Sequence, residues 1–155
     1  MSIEKVREYL NRWNRDSDII EMNISTATVE LAAAALGVIP ARIAKSIALR
    51  GFNNAALLIV TAGDMKIDNR KFRSHFNFKP KMLSPEEALE HTGHAIGGVC
   101  PFALPDIDVY LDTSMKRFDT IFPACGSSNS AIELTPTELE EYSLSKQWID
   151  VCVAL

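Results

Sequence analysis

A chain of 155 residues, 47% hydrophobic and 23% charged, has the size and composition of one globular domain with one sizeable core, spanning residues 1–155. Its net charge of −4 argues against a general nucleic-acid coat, and no apolar run approaches the ~18–20 residues of a membrane span. Three widely spaced cysteines without a CxxC suggest neither a disulfide framework nor a zinc site, and the polar N-terminus lacks a signal-peptide core, which points to the cytoplasm.

Residues 3–14 carry Ile3, Val6, Tyr9, Leu10 and Trp13 at helical spacing. Ile19 to Ile24 reads as a strand. An alanine-rich helix follows from Ala27 to Leu36, preceded by Ser25-Thr26 and closed by Gly37. Pro40 opens a short turn into a strand over 43–49, Asn53-Asn54 turn the chain, and 55–61 return as a buried strand. Asp68 is a candidate N-cap for a helix ending near His75, and Lys81–Leu83 a short strand. Ser84-Pro85-Glu86-Glu87 is a capping-box pattern opening a helix to about His91. Strands are expected near 109–111, 120–122 and 131–134. A second capping box, Thr135 with Glu138, starts a helix to about Tyr142. Irregular interleaving of strands and helices predicts an α+β domain with a mixed sheet, not a doubly wound one.

Within the strand at 43–49, alternate side chains share a face. Ile43, Lys45, Ile47 and Leu49 form the larger row, with Ala44, Ser46, Ala48 and Arg50 opposite. One ammonium therefore interrupts an apolar row. Such a lysine snorkels to water, pairs with an acid, or faces a pocket for an anion.

Two loops are dense in small residues. The first, Gly93 to Phe102, contains Gly97-Gly98-Val99-Cys100-Pro101. Adjacent glycines permit close backbone approach, and N–H groups there can meet a carbonyl or phosphate oxygen; a tight bend is the plain alternative. It has neither the P-loop nor the dinucleotide-binding pattern. The second, Gly126-Ser127-Ser128-Asn129-Ser130, is either a turn or a hydrogen-bonding wall for an uncharged polar ligand. Cys100 near His94 invites a thiol nucleophile, but closeness in sequence does not establish a base within reach, and cysteine is common as a small buried residue. His91 and His94 have no further ligand pair nearby, so no metal site is expected. The segment from Asp64 to Lys81 carries +4 and the remainder −8, so Lys66, Arg70 and Lys71 are either a solvated face or a contact for a phosphate backbone.

The ordered set Leu36-Gly37-Val38, Ala44-Lys45-Ser46, Gly97-Gly98-Val99-Cys100-Pro101-Phe102, and Gly126-Ser127 leading into Ile132-Glu133-Leu134 resembles the YbaK/prolyl-tRNA synthetase associated-domain family over about residues 2–150. The resemblance implies a mixed, barrel-like sheet core flanked by helices. It implies trans-editing, the hydrolysis of mischarged aminoacyl-tRNA, with Lys45 and the Gly97 to Pro101 element matching the family's lysine and glycine-rich loop. Lys45 would anchor the terminal phosphate or ribose, and the N–H groups of Gly97 and Gly98 would orient the ester carbonyl. Water would be the nucleophile, assisted by the substrate's own 2′-hydroxyl or side chain. Substrate contacts are expected at Thr26, Ser46, Val99, Cys100, Pro101, Gly126, Ser127 and Ser128, and tRNA contacts at Lys66, Arg70 and Lys71. No metal or organic cofactor is implied; the implied partners are the acceptor end of an aminoacyl-tRNA and an aminoacyl-tRNA synthetase. Ala103 stands where the family often has glycine. Near Ala131 the Cys-tRNA(Pro) deacylase branch carries an aspartate that this chain lacks, which leaves serine, threonine or alanine as candidates for the amino acid removed. The alternative function is a tRNA- or synthetase-binding module without turnover.

Overall fold

The computed structural model describes residues 2–155. Helix α1 spans Ser2–Leu10 and buries Val6 and Leu10. It tightens into a 3-10 turn over Asn11–Trp13 and stops at Asn14, which takes φ 58°, short of a continuous helix to residue 14. Strand β1 is only Ile20–Glu21, because its partner β7, Ser130–Ala131, offers only two residues. Helix α2, Val29–Leu36, starts where the Thr28 hydroxyl accepts from the Leu31 N–H and ends at Gly37 with φ 70°.

Strands β2, Ile43–Arg50, and β3, Ala56–Ala62, form an antiparallel pair registered from Ala44↔Ala62 to Arg50↔Ala56. The turn between them holds Asn53 and Asn54 at positive φ. Strands β5, Asp108–Asp112, β6, Phe122–Pro123, and β8, Gln147–Ile149, complete a five-stranded mixed sheet in the order β6-β2-β3-β5-β8. A small antiparallel pair joins β4, Met65–Ile67, to β9, Cys152–Ala154. The mixed sheet of the expected α+β class is present. Its strand order is open, and a curl continues through the bridges Ile121↔Leu134 and Ala124↔Ala131 toward β7 and β1.

Helices α3, Asn69–Phe76, α4, Pro85–Thr92, and α5, Pro136–Ser143, begin at the expected caps. Asp68 accepts from the Lys71 N–H at 2.9 Å, and Ser84 and Thr135 each form the reciprocal box with Glu87 and Glu138. Among the described residues no helix is long and apolar enough to cross a membrane.

Both faces of the sheet are covered. On one, Leu58, Val60 and Leu111 pack with Val6, Phe102, Ile132 and Leu139. On the other, Leu49, Leu57 and Ile59 pack with Phe72 of α3 and with Ile149 and Val151. Each such fully buried side chain contributes about 1.5–3 kcal/mol by leaving water. Buried Asp112 fixes the C-terminal segment, accepting from the Val151 and Ser114 N–H groups at 3.0 Å each.

Candidate active site

The ladder on the outer edge of β2 is interrupted. Pairing with β6 stops at Ala44↔Pro123, and pairing resumes only at the bridge Leu49↔Met82. There Leu83 donates its N–H to the Ala48 carbonyl, and Arg50 donates to the Lys81 carbonyl at 2.9 Å. The expected strand at 81–83 is thus a bridge rather than a full strand. Between the two contacts Lys45, Ser46 and Ile47 face a cleft of about 310 Å³. Thr26 to Val29, the Gly-rich loop, α4 and Ala131 close it.

The two faces of β2 divide this cleft as their side chains dictate. Lys45 lies opposite Thr61 of β3, on the face of Ile47 and Leu49, while Ser46 lies opposite Val60 on the main-core face. The row Ala44, Ser46, Ala48 is too small to fill its side, and that shortage of volume makes the space. The sequence reading expected a substrate contact at Ser46 but did not read the small row as a cavity wall. It also missed the apolar lining supplied by Met82, Leu83, Ala88, Ile96 and Ala124.

Lys45 is half-buried, and its ammonium makes no hydrogen bond or ion pair among the described residues. Burial, the largest influence, lowers its pKa; Cys152, Glu30 and Asp64 pull it back upward from a distance. Asp64 is itself held by Arg117 at 2.7 and 3.0 Å. An unpaired, partly desolvated cation on a cleft wall is stabilised by any anion that reaches it.

The Gly-rich loop presents its backbone to the same space. Gly97, at φ 88°, lines the cleft beside Ala27. A Cβ on Gly98 would stand 2.8 Å from the backbone of Gly126 and Ser127, so the two small-residue loops meet backbone to backbone. The Gly98 N–H is spent on the Ala95 carbonyl at 3.0 Å, which removes it as a free donor. The amides of Gly97 and Val99, both lining residues, have no acceptor among the described residues.

Other residues singled out from the sequence fall elsewhere. Gly98, Cys100, Pro101, Gly126, Ser127 and Ser128 do not line the cleft, whereas Thr26, Ser46, Gly97 and Val99 do. The serine loop is internally satisfied. Ser127 Oγ meets Ser130 Oγ at 2.6 Å and Asn129 Oδ1 at 2.9 Å, Asn129 donates to the Met22 carbonyl, and the Ser128 carbonyl accepts from the Thr26 N–H. Most of the loop therefore holds residues 22–26 in place, and Ser130 at its end lines the cleft.

Cys100 is fully buried, and burial pushes its thiol up to about 12. His94 Nε2 lies 3.5 Å from its sulfur but 2.8 Å from the Phe102 carbonyl, and the Ser2 hydroxyl meets Nδ1. No thiolate forms there at neutral pH, and the pair closes the loop on itself.

The basic segment also divides. Lys71 is tied to Asp150 at 3.0 Å and to the Cys152 carbonyl at 3.1 Å, so it secures the C-terminus. Lys66 is exposed on β4. Arg70 and Arg73 are exposed around a shallow depression with Asn69, Ser74 and Asn77.

The sequence matches the family model described as "Aminoacyl-tRNA editing domain" over residues 24–142. It is 61% identical over 153 residues to the "Uncharacterized protein YwhH" of Bacillus subtilis, covering 98% of each chain. It is 25% identical over 132 residues to the "Putative Cys-tRNA(Pro)/Cys-tRNA(Cys) deacylase EbsC" of Enterococcus faecalis, covering 84% of this chain and 75% of that one. Among solved structures, the "putative trans-editing enzyme for prolyl tRNA synthetase" superposes with a TM-score of 0.88 at 28% identity, covering 99% and 98% of the two chains.

Proposed function

Since the chain belongs to the aminoacyl-tRNA editing domain family, we propose that it is a trans-acting deacylase that hydrolyses the ester of a mischarged tRNA carrying a small amino acid. The observation that carries this reading is the broken edge of β2. It opens a cleft lined by Lys45, whose ammonium is unpaired among the described residues, and by Gly97 and Val99, whose amides have no acceptor there. The substrate has a matching layout, a phosphodiester next to an ester carbonyl.

In this reading Lys45 binds the phosphate of the terminal adenosine. The Gly97 and Val99 N–H groups hold the carbonyl oxygen and stabilise the negative charge that builds on it. Water adds to the carbonyl carbon, the ribose oxygen leaves and takes up a proton, and the products are a free amino acid and a tRNA with an unesterified end. Among the described residues no Asp, Glu, His or Cys lines the cleft, so no carboxylate, imidazole or thiol is positioned there as base or nucleophile. Proton transfer then falls to the substrate's neighbouring ribose hydroxyl. Positioning contributes up to roughly 7–11 kcal/mol for a well-oriented pair, enough to hasten an already reactive ester.

Alanine-lined walls and a cleft of about 310 Å³ favour a small side chain. Ala131 lines that wall, so a carboxylate is missing at a place where it would touch the amino acid. Serine, threonine and alanine esters are accordingly the first candidates. Arg70 and Arg73 would meet tRNA phosphates farther from the end, and a synthetase delivering the substrate would be a natural partner in the cytoplasm. The test is a panel of mischarged tRNAs incubated with the protein and with Lys45→Ala. Loss of at least one amino acid faster than in buffer, weakened by the substitution, is expected. Buffer-level rates across the whole panel would refute it.

A further inference from the structure

The cleft contains more unsatisfied polarity than a phosphate anchor and a carbonyl site require. Thr26 is 8% exposed, and its Oγ1 is buried without a hydrogen-bond partner. Ser46 Oγ is in the same state. Both residues line the cleft. Buried hydroxyls are rarely left unpaired, because each loses its bonds to water and gains nothing in return.

The main chain of Ser46 adds a third group. Along β2, Ala48 and Arg50 direct their backbone bonds away from β3, toward 81–83. Ser46 has the same parity, so its N–H and C=O also point outward. It falls in the gap between the last β6 pair and the Met82 bridge, where the edge opens on the cleft. Three neutral oxygens, Thr26 Oγ1, Ser46 Oγ and the Ser46 carbonyl, thus belong to the same cleft. Among the described residues Lys45 is the only charged one lining it, and it projects from the opposite face of the strand.

We propose that these three oxygens form the subsite for the α-ammonium group of the aminoacyl moiety. This assignment rests on the deacylase reading. An ammonium offers three N–H donors and no acceptor, which three oxygens satisfy. The substrate then lies with its phosphate toward Lys45 and its ammonium toward neutral acceptors on the other side of the strand. Two like charges are kept apart by the strand itself. An acylated amine has one N–H and added bulk, so the same subsite would exclude peptidyl-tRNA, whose ester bond is otherwise identical.

The experiment compares binding of four amides of 3′-amino-3′-deoxyadenosine 5′-phosphate, acylated with L-alanine, L-serine, L-lactate or N-acetyl-L-alanine. Calorimetry at pH 7 is run on the full chain, on Thr26→Val and on Ser46→Ala, with thermal midpoints confirming that each folds. The lactyl compound replaces the ammonium with a hydroxyl at nearly constant size. The unsubstituted protein is expected to bind the alanyl compound about tenfold more tightly than the lactyl one, and the N-acetyl compound least. Each substitution should shrink the alanyl advantage to under about threefold. Equal affinity for alanyl and lactyl compounds, or an undiminished advantage in both variants, overturns the subsite. So does a change confined to seryl against alanyl amides, which would assign the hydroxyls to the amino-acid side chain. If no amide binds and no aminoacyl-tRNA is hydrolysed, the deacylase reading fails; if tRNAs are hydrolysed while the ammonium is ignored, only the subsite does.

Discussion

The cleft at the edge of β2 and the cluster around His94 and Cys100 lie on two sides of the same glycine-rich loop, and both contain residue types associated with chemistry. In the cluster every polar group has a partner: His94 reaches Phe102 and Ser2, Thr92 bonds the Ala88 carbonyl and the His94 N–H, and Cys100 is sealed from solvent. In the cleft several polar groups are left open among the described residues: Lys45 has no counter-ion, Thr26 and Ser46 have unpaired hydroxyls, and two amides lack acceptors. Folding satisfies what it needs for stability. Groups left unsatisfied at a cost are the ones a ligand can complete. A nucleophile-and-base pair by residue type is therefore part of the scaffold, and a lysine with two modest hydroxyls is the proposed site.

The largest effect is expected where a substitution forces the two regions apart. In Gly98→Ala the new Cβ would stand 2.8 Å from the backbone of Gly126 and Ser127, and a backbone cannot swing aside as a flexible side chain can. The loop must shift, carrying Gly97 and Val99 with it. Misplacement on the order of 1 Å typically costs about a hundredfold in rate, so deacylation should fall about that much, with a lowered thermal midpoint. Unchanged kinetics would mean that the loop amides do not meet the carbonyl.

Lys45→Ala should come next, with kcat/KM down about 10- to 100-fold, as expected for loss of one charge-assisted contact. Its stability effect should have the opposite sign or be close to zero, because a desolvated ammonium without a partner is removed. Lys45 has its folded pKa below the unfolded value of 10.5, so its penalty is fully present below the folded pKa and is relieved as pH rises toward 10.5. Urea unfolding at pH 7 and at about pH 10.5 should show Lys45→Ala gaining most over the unsubstituted protein at the lower pH. Marked destabilisation at pH 7 would show that the lysine has a structural partner after all.

The sequence made the helices and the central hairpin legible, because caps, glycines and apolar periodicity are local. Asp68, Ser84 and Thr135 each cap the expected helix. The strands near 19–24, 81–83 and 131–134 shrank to pairs or bridges, since their extent is decided by partners distant in sequence. The segment after Tyr142 gave no local signal, and β8 and β9 exist through pairing with β5 and β4. At the site, Lys45 stood out as a charge in an apolar row. The roles of Ser127 and Lys71 could not be read, because Ser130 and Asp150 become their partners only once the chain is folded.

The smallest effect on catalysis is expected at His94, where the comparison predicts a stability phenotype instead. The Phe102 carbonyl can only accept, so His94 Nε2 carries the hydrogen, and the Ser2 hydroxyl donates to Nδ1. Both bonds are met by the neutral ring. At 1% exposure, burial is the leading influence and holds the pKa below its usual 6.5. As pH falls, the unfolded chain takes up the proton first. Stability is therefore full above about 6.5 and is lost as pH drops from there toward the lower folded value. His94→Gln keeps a donor near Nε2 and cannot titrate. The substituted protein should lose less of its urea midpoint than the original between about pH 7 and pH 5.5, while its deacylation at pH 7 stays within about threefold. Parallel pH slopes for the two proteins, together with a hundredfold loss of activity, would move His94 from the scaffold into the chemistry and reverse the assignment of the two regions.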